Sequence, residues 1–144
     1  MMDDVRRDDL LRAQRTCRVA TTGANGQPHA TAMWFVWDGS SVWLNSLSRT
    51  QRWADIISDP RVSVLVDGGE EFLELYGIEI IGTASVVGEV PRTGEPCDEL
   101  RAPELLFANK YANIDEMRHD GRHGWLRIDP VKIVSWDFAK LAAR

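Results

Sequence analysis

Cysteine is nearly absent from this chain. Cys17 and Cys97 stand far apart, with no CxxC and no partner pair of histidines. Disulfide-scaffold, thioredoxin-like and zinc-site readings all lack their spacing, which leaves two reduced thiols. No apolar run approaches the ~20 residues needed to span a bilayer, and the segment from Met1 to Arg18 is charged almost throughout. Neither an anchor nor a signal peptide is expected, and the expected location is the cytoplasm. A basic surplus is lacking as well: 17 Lys and Arg face 22 Asp and Glu, for a formal charge of −5. Broad nucleic-acid binding, which needs a basic surface to displace counterions, is therefore not expected. G-x-S-x-G, a P-loop, a Rossmann glycine fingerprint and a cysteine near a histidine base are all missing, so hydrolase, NTPase and dinucleotide-fold chemistry drop out.

What is present is ordinary globular material, 44% apolar and 27% charged, in 144 residues. That length fits one domain and leaves no room for separate cofactor and substrate domains. Residues 1–15 read as an N-terminal helix or arm and residues 16–144 as a single domain. Thr16 to Thr22 is rich in β-branched residues and runs into Asn25-Gly26, a strong hairpin signal. HATAMWFVWD then reads as a second strand, and Asp38-Gly39 turns the chain into SVWLNSL, predicting a three-strand antiparallel meander. The period changes between Arg49 and Asp59, where Trp53, Ile56 and Ile57 share a helical face. Ser48 and Gln51 have the form of a capping box, and Pro60 stops the helix. RVSVLVD alternates as a further strand. FLELYGIEIIGTASVVGEV reads as one long strand bent or bulged at Gly77 and Gly82. Residues 98–112 read as a helix offering Leu105, Leu106 and Tyr111 to the core, with Pro103 splitting it or in its first turn. WLRIDPVKIVSWDF closes the sheet as a strand pair or a strand bulged at Pro130. The predicted fold is mainly β: about six antiparallel strands with short helices after strand three and before the last strand.

LNSLSRTQRW carries the most informative chemistry. Here a strand delivers the chain into a helix whose first turns hold Arg49, Thr50 and Arg52, and free N–H groups, the helix dipole and two guanidiniums together suit a phosphate. The competing reading makes both arginines surface charges facing Asp55 and Asp59. Trp34, Phe35, Trp37 and Trp43 fall within ten positions. Alternation puts Trp34 on one face and Phe35 and Trp37 on the other, so one face can be core while the other needs a planar cofactor or a second subunit. His119 and His123 have the i, i+4 spacing of a helical metal pair, but Gly121 and Gly124 argue against a helix, and no metal site is expected. His29 has no evident partner.

Taken in order, these motifs resemble the pyridoxamine 5'-phosphate oxidase-like split-barrel family, from about Arg18 to Leu141. The most specific segments are SRTQRWADIISDPRVSVLV and the closing PVKIVSWDFAKL. The resemblance implies a homodimer with a flavin or the deazaflavin F420 in a groove shared by two subunits. It implies that the cofactor phosphate lies at Arg49, Thr50 and Arg52, and that Thr31, Ala32, Met33, Trp34, Asn45 and Ser46 edge the ring. Residues of the second subunit would close the groove, with Lys110, Tyr111 and Trp136 as further candidates. Hydride transfer is carried by such a cofactor, so no catalytic side chain is required, and none is assigned. The implied function is F420-dependent reduction of a small conjugated substrate, which the arginine-heavy, lysine-poor composition favours. The alternatives are an FMN-dependent pyridoxamine 5'-phosphate oxidase-like enzyme and a non-catalytic flavin-, F420- or haem-binding protein, in which His119 or His123 would be the axial ligand.

Overall fold

A computed structural model describes residues 1–142. The chain runs α1 (Asp4–Ala13), β1 (Thr16–Thr22), β2 (Pro28–Trp34), β3 (Val36–Trp37), β4 (Val42–Leu47), α2 (Gln51–Ser58), β5 (Arg61–Gly68), β6 (Tyr76–Val87), α3 (Asp98–Ala112), β7 (His123–Asp137) and α4 (Ala139–Ala142). All seven strands form one antiparallel sheet in the order β2-β1-β5-β6-β7-β4-β3. Its two edge strands are consecutive in the chain and meet at Phe35, so the sheet curls back on itself into a split barrel. No described helix is long and apolar enough to cross a membrane.

This arrangement corrects the expected meander. β2 pairs only with β1, and β4 pairs with β3 and β7, so HATAMWFVWD is two strands rather than one. The break is why the sheet has seven strands and not six. Phe35 is fully buried at the crossing, and Val36 and Trp37 are buried beside it. Outward residues of β2 alternate with the half-buried His29, Thr31 and Met33, which face the barrel.

Inward residues of β1, β5 and β6, among them Val19, Val64, Val66, Ile78 and Ile80, fill the main core together with Leu11 and Met2 from the N-terminal segment. A second cluster of Val36, Trp43, Val87, Leu100 and Trp125 lies under α3. Four helical expectations change. Thr50, not Ser48, caps α2: its Oγ1 accepts from the Trp53 backbone N–H at 3.2 Å. Trp53 and Ile56 enter the core while Ile57 is exposed. Residues Phe72–Glu74 form a 3₁₀ turn before β6 begins. Pro103 sits inside an unbroken α3, which buries Leu100, Pro103 and Ala108 and leaves Leu105 and Leu106 exposed. Pro130 does sit at a bulge, because the β6–β7 register shifts between Ile81 and Gly82.

Candidate functional site

The cap at Thr50 sets the position of Arg52. Thr50 donates its own hydroxyl to the Leu47 carbonyl at 3.0 Å and so ties the first turn of α2 to the end of β4. Arg52 then turns inward, not toward the helix N-terminus, and is only 9% exposed. Its Nε and Nη2 donate to Ser46 Oγ at 3.2 and 2.9 Å, and its Nη1 donates to Thr31 Oγ1 at 3.0 Å. Three elements, β2, β4 and α2, therefore hold one guanidinium.

No carboxylate meets Arg52 among the described residues. Asp55, one turn along, is engaged by Thr21 Oγ1 at 2.8 Å and Gln51 Nε2 at 2.7 Å, and His29 Nδ1 lies 3.4 Å away. Those Gln51 and Thr21 hydrogen bonds hold Asp55 below the usual carboxylate range. Asp59 is taken by Arg61. The surface-charge reading of Arg49 and Arg52 thus has no acidic partners to support it. Desolvation pushes the Arg52 pKa down, yet a guanidinium stays charged at neutral pH. Two of its five N–H directions have no protein acceptor among the described residues.

Arg52 opens onto a cavity of about 460 Å³ whose walls include Met33, Trp34, Asn45, Phe107 and Met117. Trp34 is 48% exposed and stacks on Tyr111, with centroids 4.2 Å apart and planes within 10°. A second cavity of about 510 Å³, holding Ser48, Arg49 and Arg122, adjoins the first at Leu47. Arg49 and Arg52 therefore face two neighbouring cavities and not one cradle. Arg6, Arg7, Arg18, Arg61, Arg92, Arg101 and Arg127 are all ion-paired with carboxylates. Arg49, Arg52, Arg118 and Arg122 have no such pairing among the described residues, and all four line these two cavities. Among the described residues Arg12, Arg15 and the lysines also lack a carboxylate pair and lie elsewhere, but four such arginines around two adjoining cavities of a net-negative chain still attract an anion there.

The rim carries a network that the sequence reading missed. Arg92, in the segment between β6 and α3, is buried. Its Nε and Nη2 donate to Glu104 at 2.9 and 3.0 Å, and its Nη1 donates to Glu89 and the Glu95 carbonyl. Glu104 also accepts from Trp125 Nε1 at 2.9 Å, and His119 Nε2 lies 3.9 Å from it. These carboxylates, Glu104 foremost, push the Arg92 pKa up.

Of the other candidates, Thr31 and Ser46 touch Arg52, Met33, Trp34 and Asn45 line the first cavity, and Ala32 faces outward on β2. Tyr111 and Lys110 clamp the strand break. The Phe35 N–H donates to Tyr111 Oη at 3.0 Å, and Lys110 Nζ donates to the Phe35 carbonyl at 3.2 Å while lying 4.1 Å from its ring centroid. Trp136 lines neither cavity of the single chain. It pairs with Gly77, where any Cβ would overlap its ring, and lies 13 residues along β7 from His123, a contour of ~40 Å at about 3.3 Å per residue. His119 and His123 both line the first cavity. No group of three metal-ligating side chains occurs among the described residues.

The Lys110 clamp has a measurable consequence. Burial lowers its pKa from 10.5 to about 8, with Arg15 adding to the effect. Above pH 8 the folded chain releases this proton while the unfolded chain keeps it, so stability should rise with pH. From pH 9 the buried Cys17 thiol, pushed up from 9.0 to about 12 by desolvation, opposes that trend. Urea unfolding should therefore show stability rising between pH 8 and 9, and Lys110→Met should abolish the rise. An identical slope in the variant would contradict this account.

The family model for pyridoxamine 5'-phosphate oxidase matches residues 6–137. The chain belongs to that family. Among solved structures, a conserved hypothetical protein from Mycobacterium tuberculosis is 29% identical, with a TM-score of 0.81 over 99% of this chain and 89% of that one. An F420 reductase is 20% identical, with a TM-score of 0.66 over 88% of this chain and 94% of its own. The haem storage protein HutZ from Vibrio cholerae is 13% identical, with a TM-score of 0.73 over 95% of each chain. The last two identities establish a shared fold alone. No protein with a curated description matches the chain.

Proposed function

We propose that the chain is an F420-dependent oxidoreductase that works as a homodimer and reduces a small conjugated organic molecule. The observation that carries this reading is the buried Arg52, charged and without a carboxylate, at the edge of a cavity walled by Trp34. A buried cation of that kind calls for an anionic ligand, and a wide aromatic face beside it suits a planar ring. Arg49 and Arg122 in the adjoining cavity favour a ligand with anionic groups at more than one position. F420, with a phosphodiester and a carboxylate tail, meets that demand better than FMN, which has one terminal phosphate.

Reduced F420 supplies a hydride when bound. The chain's own work would be to hold the anionic groups with Arg52 and Arg49, to orient the ring along β2 and β4 through Met33, Trp34 and Asn45, and to exclude water. The exposed face of Trp34 needs a cover, and a second subunit would provide it. The same pair of cavities supports a second reading: FMN phosphate in one and a phosphorylated substrate such as pyridoxamine phosphate in the other.

Fluorescence titrations with F420 and with FMN at fixed ionic strength separate the two. Tight F420 binding with weak FMN binding is expected. The reverse order would select the flavin enzyme, and failure of both, or an intense Soret band in the purified protein, would overturn catalysis by either. Sedimentation at micromolar concentration should give a dimer, and a monomer would contradict the shared groove.

A further inference from the structure

The cavity contains a carboxylate–imidazole pair that the proposed function leaves unused. β7 begins at His123, whose backbone is paired with Leu47 at the end of β4, and the preceding loop is anchored at several points. Ser48 N–H donates to the Arg122 carbonyl at 3.0 Å, Arg92 N–H donates to the His123 carbonyl at 2.7 Å, and Asp120 Oδ1 accepts the Arg122 N–H at 2.9 Å. Gly121, at φ +72°, turns the loop in a conformation that side chains rarely adopt. The fold thereby places Asp120 Oδ1 2.9 Å from His123 Nδ1.

This contact has a chemical consequence. An aspartate accepting from Nδ1 holds the imidazole in one orientation and one tautomer and stabilises its protonated form. His123 Nε2 has no protein partner among the described residues. The ring is about one-third exposed and lines the same cavity as Arg52 and Trp34. His119, by contrast, lies beside Glu104, a carboxylate already engaged by Arg92 and Trp125.

We infer that His123, held by Asp120, is the proton donor of this site, acting on conjugated carbonyl compounds. The inference rests on the F420 reading above. In the step, hydride adds to the β-carbon of the substrate's C=C–C=O unit and its π electrons move toward oxygen. The His123 Nε2–H bond breaks and its proton goes to the α-carbon. The substrate gains two electrons and two hydrogens, the reduced cofactor loses two electrons, and the neutral imidazole regains a proton from water at its exposed edge.

Single-turnover oxidation of reduced F420 by cyclohexenone, run beside F420 titrations, tests this. His123→Ala should bind F420 within twofold of wild type yet react ~10²- to 10⁴-fold more slowly, the usual contribution of a positioned acid. Added imidazole should restore part of the rate, which no merely structural role would allow. ¹⁵N NMR should show His123 protonated on Nδ1 in the wild type, with that preference lost in Asp120→Asn. A His123→Ala rate equal to wild type with binding intact, or absent rescue, would overturn the donor role alone. A wild type that binds F420 but leaves cyclohexenone unreduced would overturn the role with that substrate class. A wild type that does not bind F420 would overturn the cofactor reading and this inference with it.

Discussion

Replacing Arg52 with methionine should weaken F420 binding by ~100-fold or more while leaving the protein folded. Truncating one partner of a buried, hydrogen-bonded charge pair costs about 2–5 kcal/mol of binding, and ~2.7 kcal/mol is already a hundredfold. Arg52 meets that description because its exposure is 9% and Ser46 and Thr31 fix its fork. Stability should change little, because the variant removes a desolvated cation with no carboxylate to strand. Ser46 Oγ keeps its bond to the Leu47 carbonyl. Arg49 is exposed, so Arg49→Ala should cost less, about 0–1 kcal/mol. Fluorescence titration of both variants checks the ranking. Unchanged affinity in Arg52→Met would make this arginine a packing residue.

Arg92→Met should do the opposite, with a large loss of stability. Arg92 is 5% exposed and joins Glu89, Glu104 and the Glu95 carbonyl. Without it, Glu104 on α3 keeps Trp125 Nε1 as its hydrogen-bond donor and carries a largely buried charge with no arginine beside it. Breaking a buried ion pair from one side costs about 3–5 kcal/mol. Urea denaturation should show that loss. The double variant with Glu104→Gln should recover part of it, because the two residues are coupled. A change below ~1 kcal/mol would show that the cluster is solvated.

Local chemistry made much of this fold legible. β1 and α3 follow from alternation, Asn25-Gly26 and helical spacing, and their bounds match. The strand break at Phe35 was not legible, because HATAMWFVWD is apolar on both sides of it, and only closure of the sheet decides that Val36 pairs with Trp43. Ser48 and Thr50 are both competent caps by type. The tertiary bond from Ser48 N–H to the Arg122 carbonyl commits Ser48 elsewhere, and Thr50 takes the role. Leu105 and Leu106 looked like core by hydrophobicity, but α3 buries the face of Leu100, Pro103 and Ala108 instead.

The site divides in the same way. Arg52 stood out as a cation near a strand-to-helix junction, but its direction depends on Ser46 on the preceding strand and on Thr31, 21 residues away on β2. Arg92 with Glu104 left no local signature. Asp120 and His123 were overshadowed by the i, i+4 spacing of the two histidines, although an aspartate three residues before a histidine, across a glycine turn, was the sign to read.

A crystal structure of the protein grown with F420 tests the central claim most directly. The expected result is a dimer with an anionic group of F420 on Arg52 and the deazaflavin ring beside Trp34, closed by the second subunit. F420 bound away from both residues, or on a lone subunit, would contradict it.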